Sequence, residues 1–224
     1  MLTRSGLTCS GCRLIGDSSL VLVGIQPQRV AILVSHLQHC LLDLLGRWRN
    51  GDIPASVVAV ISNHEDGRDI ADGFGVPFHH LPVNPASKAQ QEGDLQNILV
   101  SLDVDLVVLA RYMQILSEPL VNEWTNRIIN IHHSFLPAFP GARPYHQAMA
   151  RGVKLIGATA HYVTVELDDG PIIEQGVTRT SHRDSVADFA RRGREVENRV
   201  LATAVRAHLE NRVIVEGRRT IVFE

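Results

Sequence analysis

The chain of 224 residues is 45% apolar and 21% charged, and its 22 basic and 24 acidic residues leave a formal net charge of −2. That profile excludes a disordered or fibrous chain, and the near balance of charge gives no electrostatic ground for nucleic acid or an anionic membrane as partner. A chain of this length buries roughly 70% of the surface its unfolded form exposes, so it needs neither disulfides nor a structural metal to hold a core.

The first 28 residues carry no clear periodicity and stay unassigned, while residues 29–224 read as one domain. The apolar run 20–25, with Asp17 just before it, is too short to span a membrane and makes a poor signal-peptide core. A cytoplasmic protein is expected. Cys9 and Cys12 form a Cys-x-x-Cys pair, but a lone pair supplies only two of the four ligands that a structural zinc needs. Cys40 falls on an apolar helix face and reads as a core residue.

From Arg29 the text becomes regular. Residues 30–34 form a continuous apolar run, as in a strand buried on both faces. Leu37, Cys40, Leu41, Leu44, Leu45 and Trp48 follow at helical spacing, and Asn50-Gly51 supplies a stop. A second strand is expected at 57–61, a short helix around Ile70 ending near Gly75, and a third strand at 76–79. A helix over 88–102 leads to a strand at 106–110. Ser117 then suits a cap, with Pro119 tolerated in the first turn, before a fifth strand at 128–131. This alternation predicts an α/β, Rossmann-like fold, a mostly parallel sheet with helices on both faces.

The pattern changes after Pro144. A helix over 145–151 ends at Gly152, and strands at 156–165 and 172–178 flank Asp168-Asp169-Gly170-Pro171, as in a late antiparallel ribbon. A long helix starts at Ser185, which forms a capping box with Asp188, and repeats apolar residues at Val186, Phe189, Val196, Val200, Ala204 and Leu209. Arg191, Arg192, Arg194 and Arg199, interleaved with Glu195 and Glu197, read as its solvated face; the other reading is an attraction for an anionic ligand tail. A last hairpin is expected from 213–215 and 220–223.

In such sheets ligands bind beyond the carboxyl ends of the strands, where Asn130-Ile131-His132-His133-Ser134 lies. Asn130 and His132 are two apart, so an extended chain points both side chains the same way. An amide beside an imidazole can hold a carbonyl oxygen and the charge it gains under nucleophilic attack. The plainer reading of these residues is a loop that caps a helix. Asp168 is likewise either an ordinary turn residue or a carboxylate that orients water beside His132.

The run Ile129-Asn130-Ile131-His132-His133-Ser134-Phe135-Leu136-Pro137-Ala138-Phe139 resembles the central motif of the formyltransferase family that handles 10-formyltetrahydrofolate. Leu167-Asp168-Asp169-Gly170-Pro171-Ile172 resembles its second signature. Ser62-Asn63-His64-Glu65-Asp66, Gly141-Ala142-Arg143-Pro144-Tyr145-His146-Gln147-Ala148 and Ile156-Gly157-Ala158-Thr159-Ala160-His161-Tyr162-Val163 are similar to its deformylase branch. The resemblance implies that Asn130 and His132 bind the formyl oxygen and that Asp168 pairs with His132 and positions the attacking group. It implies a pterin pocket lined by Met113, Gln114, Ile115 and Leu116, through backbone groups, and by the loop from Tyr162 onward, including Val163. His161 would support the catalytic set. His133 either reaches the substrate or fills a place that proline takes in sister enzymes. No role attaches to His79, His80 or His146. No metal or redox cofactor is implied; a zinc set of His132, His133 and His161 is the metal alternative.

Relatives that formylate glycinamide ribonucleotide carry a Gly-rich phosphate loop after the first strand, whereas Ser35-His36-Leu37-Gln38-His39-Cys40 has no glycine. The expected reaction is therefore hydrolysis of 10-formyltetrahydrofolate to tetrahydrofolate and formate. The alternatives are formyl transfer to an amine such as that ribonucleotide, or folate binding without turnover. The folate is the expected partner, without nucleic acid or membrane, and a homo-oligomer is admitted. Deformylases of this branch usually begin with a regulatory ACT domain, which residues 1–28 do not resemble; the expectation is a chain that dispenses with it or a truncated product.

Overall fold

The computed structural model describes residues 26–137 and 144–224. Cys9, Cys12, the apolar run 20–25 and motif positions 138–143 lie outside the described residues.

The apolar runs become strands β1 (Gln28–Val34), β2 (Ala55–Ser62), β4 (Leu106–Leu109) and β5 (Ile128–His132), with a short β3 (Phe78–His80). Between them stand α1 (His39–Arg49), α2 (Arg68–Phe74), α3 (Lys88–Ser101) and α4 (Glu118–Glu123). α5 (Pro144–Ala150), β6 (Leu155–Tyr162), β7 (Ile172–Arg179), α6 (Val186–Leu209), β8 (Val213–Glu216) and β9 (Arg219–Val222) complete the chain. Among the described residues the order β3-β2-β1-β4-β5-β6-β7 forms one sheet, parallel from β3 to β5 and antiparallel at the β5–β6 and β6–β7 pairings.

One core lies against α1 and α6, with Leu41, Leu45, Ile129, Ile131, Val200 and Leu201 in it. A second lies on the opposite face, where Leu95, Leu99, Leu120 and Ile128 pack. Along β5 the alternation thus sends Ile129 and Ile131 to one side, while Ile128, Asn130 and His132 share the other. The capping box of α6 is present, with Ser185 Oγ accepting from Asp188 N–H.

Several expectations need correction. The late antiparallel ribbon is present as β6–β7, extending the edge of the large sheet, but β6 stops at Tyr162 rather than Val165, which frees residues 163–171 as a loop. β3 begins at Phe78, and the separate β8–β9 ribbon starts and ends within a residue of the expected hairpin. Leu37 precedes α1 and is exposed. Ser117 occupies the cap position of α4 without a side-chain cap bond; its backbone N–H instead donates to Glu92 Oε1 at 3.0 Å. Arg191, Arg194 and Arg199 are exposed as expected, but Glu197 is 1% exposed, because it shares the buried stripe of Gly193, Val200 and Leu201.

Candidate active site

A cavity of about 450 Å³ opens over the face of β5 that carries Asn130 and His132. One wall is the 111–116 segment after β4, and the other is the 163–168 segment after β6. Met113, Gln114, Ile115, Leu116, Asn130, His132, His161, Val163 and Asp168 all line it, so every site residue expected from sequence is brought together.

The first wall is tied down from behind. Ser35 Oγ accepts from Met113 N–H at 3.0 Å and donates to Asn63 Oδ1 at 2.7 Å, while Gln91 Nε2 donates to the Tyr112 hydroxyl at 2.9 Å. Met113 and Ile115 stay exposed, leaving apolar surface on this wall of the cavity. The second wall depends on Gly170. A Cβ there would collide with the Tyr162 carbonyl, so only glycine lets the loop fold back over the end of β6. That return places Asp168, in a left-handed conformation at φ 56°, beside the histidines.

Asp168 Oδ1 lies 3.2 Å from His132 Nδ1 and 3.8 Å from His161 Nε2. The contact with His132 holds the Asp168 carboxyl below the usual carboxylate range, against the burial that pushes it up; the charges of the neighbouring histidines add to the lowering. His132 Nε2 has no hydrogen-bond partner among the described residues. Asn130 and His161 stand directly opposite in the β5–β6 ladder, with Nδ2 and Nε2 3.3 Å apart. His161 Nδ1 lies 2.9 Å from the Tyr162 carbonyl, which can only accept, so Nδ1 carries the proton and Nε2 accepts from the Asn130 amide. Burial holds this imidazole below its ordinary range. The amide is thereby oriented, with its second N–H unused by His161.

The formyl transferase family pattern matches residues 28–205. A formyltetrahydrofolate deformylase from Synechocystis sp. is 56% identical over 88% of this chain and 69% of its own length. The chain belongs to the formyltransferase family, in its formyltetrahydrofolate deformylase branch. The crystal structure of a formyltetrahydrofolate deformylase from Pseudomonas syringae superposes with a TM-score of 0.87 at 52% identity, over 89% of this chain and 67% of that one. That of glycinamide ribonucleotide transformylase 1 from Symbiobacterium toebii gives 0.84 at 36% identity, over 94% of this chain and 100% of that one. The chain thus spans about two thirds of the length of the deformylases it matches.

Sequence reasoning missed a buried cluster beside this deformylase-type cavity. Glu197 accepts from His39 Nε2 at 2.8 Å and from the Tyr145 hydroxyl at 2.6 Å, and Arg111 Nε lies 3.6 Å from it. Burial pushes the Glu197 carboxyl up, but His39, Arg111 and Tyr145 outweigh it and hold the group at about 2. Gly193 makes room, since a Cβ there would collide with the Tyr145 ring. The readable signal was the i, i+4 series Gly193, Glu197, Leu201, which puts the carboxylate on the buried stripe. His133 lines the cavity too, its imidazole pushed down to about 4 by burial first and by the charge of Arg111 next.

The zinc alternative finds no geometric support. Among the described residues, the groups that bring three ligand atoms within 4.8 Å of one another are His36, His64, Asp66 and His39, Cys40, Glu197, not His132, His133 and His161. The other histidines left without a role include His80, whose Nδ1 pairs with Glu65 at 2.8 Å. No helix among the described residues is long and apolar enough to cross a membrane.

Proposed function

We propose that this chain hydrolyses 10-formyltetrahydrofolate to tetrahydrofolate and formate, and that it does so in the cytoplasm. The observation that carries the reading is the convergence of Asn130, His132 and Asp168 on one cavity whose flanks are the 113–116 and 163–168 segments. The kinship with formyltetrahydrofolate deformylases supports the substrate.

The pterin lies between those two segments, against backbone groups of Met113 to Leu116 and the side chain of Val163. The formyl oxygen accepts from the free N–H of the Asn130 amide and from His132 Nε2, the ring nitrogen that has no other partner. These donors stabilise the oxyanion that forms when water attacks the formyl carbon. Asp168 orients that water and balances the charge of a protonated His132 through the 3.2 Å contact at Nδ1. Collapse of the adduct breaks the bond to the folate nitrogen, which takes up a proton as formate leaves. Addition of water, loss of the amine and the proton transfers between them are all assigned to these side chains, and the proposed route draws on no metal or redox cofactor.

The test is incubation of purified protein with 10-formyltetrahydrofolate, with and without glycinamide ribonucleotide. Equal amounts of tetrahydrofolate and formate, unchanged by the ribonucleotide, are expected. Formylated ribonucleotide as the main product would replace hydrolysis by transfer, and no turnover at all would leave a folate-binding protein.

A further inference from the structure

Arg111 has no task in the route above. It follows β4 in a left-handed conformation at φ 64°, with its carbonyl accepting from Ser35 N–H at 3.2 Å. That turn directs the side chain inward, where it is 9% exposed and borders the catalytic cavity. Its buried Nε has no hydrogen-bond partner among the described residues. Glu197 Oε2, at 3.6 Å, is beyond hydrogen-bond reach, and that carboxylate already accepts from His39 and Tyr145. A guanidinium offers five N–H donors in a planar fork that matches a carboxylate, and a buried donor left unsatisfied is costly.

The place of this cation in the cavity is marked by its neighbours. His133, on which the Arg111 charge acts, has its ring centroid 5.2 Å from that of His132. Arg111, His132 and His133 all line this one cavity, which also holds the proposed formyl-binding imidazole. Hydrolysis creates an anion there. Water oxygen bonds to the formyl carbon, the carbon–nitrogen bond to the folate breaks, the folate nitrogen takes up one proton of that water, and formic acid releases the other to solvent. The remaining formate is a small planar carboxylate, whereas an amine acceptor is a cation when protonated.

We propose that Arg111 forms a formate subsite of this cavity, holding the carboxylate that hydrolysis produces and disfavouring a cationic amine in the same place. The proposal rests on the hydrolytic reading. Arg111 is a product-binding residue in it, distinct from the Asn130, His132 and Asp168 set.

The experiment compares sodium formate with sodium chloride at equal ionic strength as inhibitors of 10-formyltetrahydrofolate hydrolysis, in wild type, Arg111→Lys and Arg111→Gln. Tetrahydrofolate affinity and thermal melting are followed in parallel. In a folded Arg111→Gln protein the formate concentration for half inhibition should rise on the order of 10- to 100-fold, as expected for loss of charge-assisted hydrogen bonds. Arg111→Lys, which keeps the charge but not the fork, should fall between. Tetrahydrofolate affinity should change less than about threefold. Unaltered formate inhibition in folded Arg111→Gln overturns the subsite. Should that variant not fold, line broadening of carbon-13 formate by the wild-type tetrahydrofolate complex replaces it. Broadening that excess nitrate, another planar anion, reverses supports the subsite, and no broadening overturns it. A wild type that releases no formate from the folate overturns the hydrolytic reading instead.

Discussion

Two histidine–carboxylate pairs in this molecule differ in how fully their carboxylates are partnered. His39 and Glu197 meet at 2.8 Å, His132 and Asp168 at 3.2 Å. The Glu197 side chain is 2% exposed and takes a second hydrogen bond from Tyr145, with Arg111 close by. Asp168 is 22% exposed, stands at the edge of a cavity, and its histidine keeps one ring nitrogen unpartnered. Both carboxyls are held below the ordinary range, Asp168 first by its contact with His132 and Glu197 by His39, Arg111 and Tyr145 acting against burial. The difference is saturation. A carboxylate whose acceptor sites are filled by protein donors fixes α6 against α1 and α5, whereas one with open sites can receive a water.

The largest effect that would break this contrast is at Asp168. Asp168→Asn keeps size and hydrogen-bonding reach but removes the charge that, in the proposed route, orients water and balances a protonated His132. Hydrolysis should fall by about 10²- to 10⁴-fold, while folate affinity, resting on the 113–116 backbone, stays nearly intact. Near-normal turnover with a folded protein would remove the carboxylate from the mechanism. Asn130→Ala comes next. Loss of one oxyanion donor costs on the order of 3 kcal/mol of transition-state stabilisation, about a hundredfold or more in rate. The protein should melt almost normally, since Asn130 is only half-buried and its partner His161 retains the Tyr162 carbonyl.

Glu197→Gln should show the opposite signature. It leaves Arg111 buried without a counter-charge, so folding stability should drop by about 3 kcal/mol, a fall of roughly 6–12 °C in Tm for a chain of this size. The pH dependence follows from the depressed carboxyl. Unfolded Glu197 binds its proton near the ordinary 4.5, the folded group only near 2. Its contribution is therefore fully present above about pH 4.5 and fades as pH falls towards 2. The stability gap between wild type and Glu197→Gln should be flat near neutrality and close across that acid window. Urea denaturation at several pH values measures it; a gap that widens on acidification would contradict the assignment.

The contrast also explains what sequence made legible. Strands β1, β2, β4 and β5 were readable because both of their faces are buried, so each appears as an apolar run. The ends of α2 and α6 were readable from Gly75, at φ 72°, and from the Ser185–Asp188 box. Asn130 and His132 were readable as neighbours by their spacing on a strand, but Asp168 reached them only through the family motif, because a nine-residue loop carries no local sign of where it returns. Arg111 and Glu197 stayed hidden for a related reason. A single charge on an amphipathic helix reads as solvated, and its burial depends on partners from β4, α1 and α5 that only the packed fold supplies.

The smallest expected effect is at Asp169, and it sharpens the comparison because it lies one residue from the most sensitive position. Its carboxylate pairs with Arg218 at the turn between β8 and β9. Both partners are open to solvent, with side chains 45% and 76% exposed, so water competes with the pair and its loss should cost less than about 1 kcal/mol. The backbone does the positioning here. Asp168 owes its place to its own left-handed conformation and to the close pass of Gly170 over Tyr162, neither of which needs the Asp169 charge. Asp169→Asn should therefore keep most hydrolytic activity and unaltered folate affinity, with a Tm within about 2–4 °C of wild type. Measured beside Asp168→Asn, it separates a chemical carboxylate from a tethering one. An inactive Asp169→Asn with a working Asp168→Asn would move the water-orienting role by one residue along the turn.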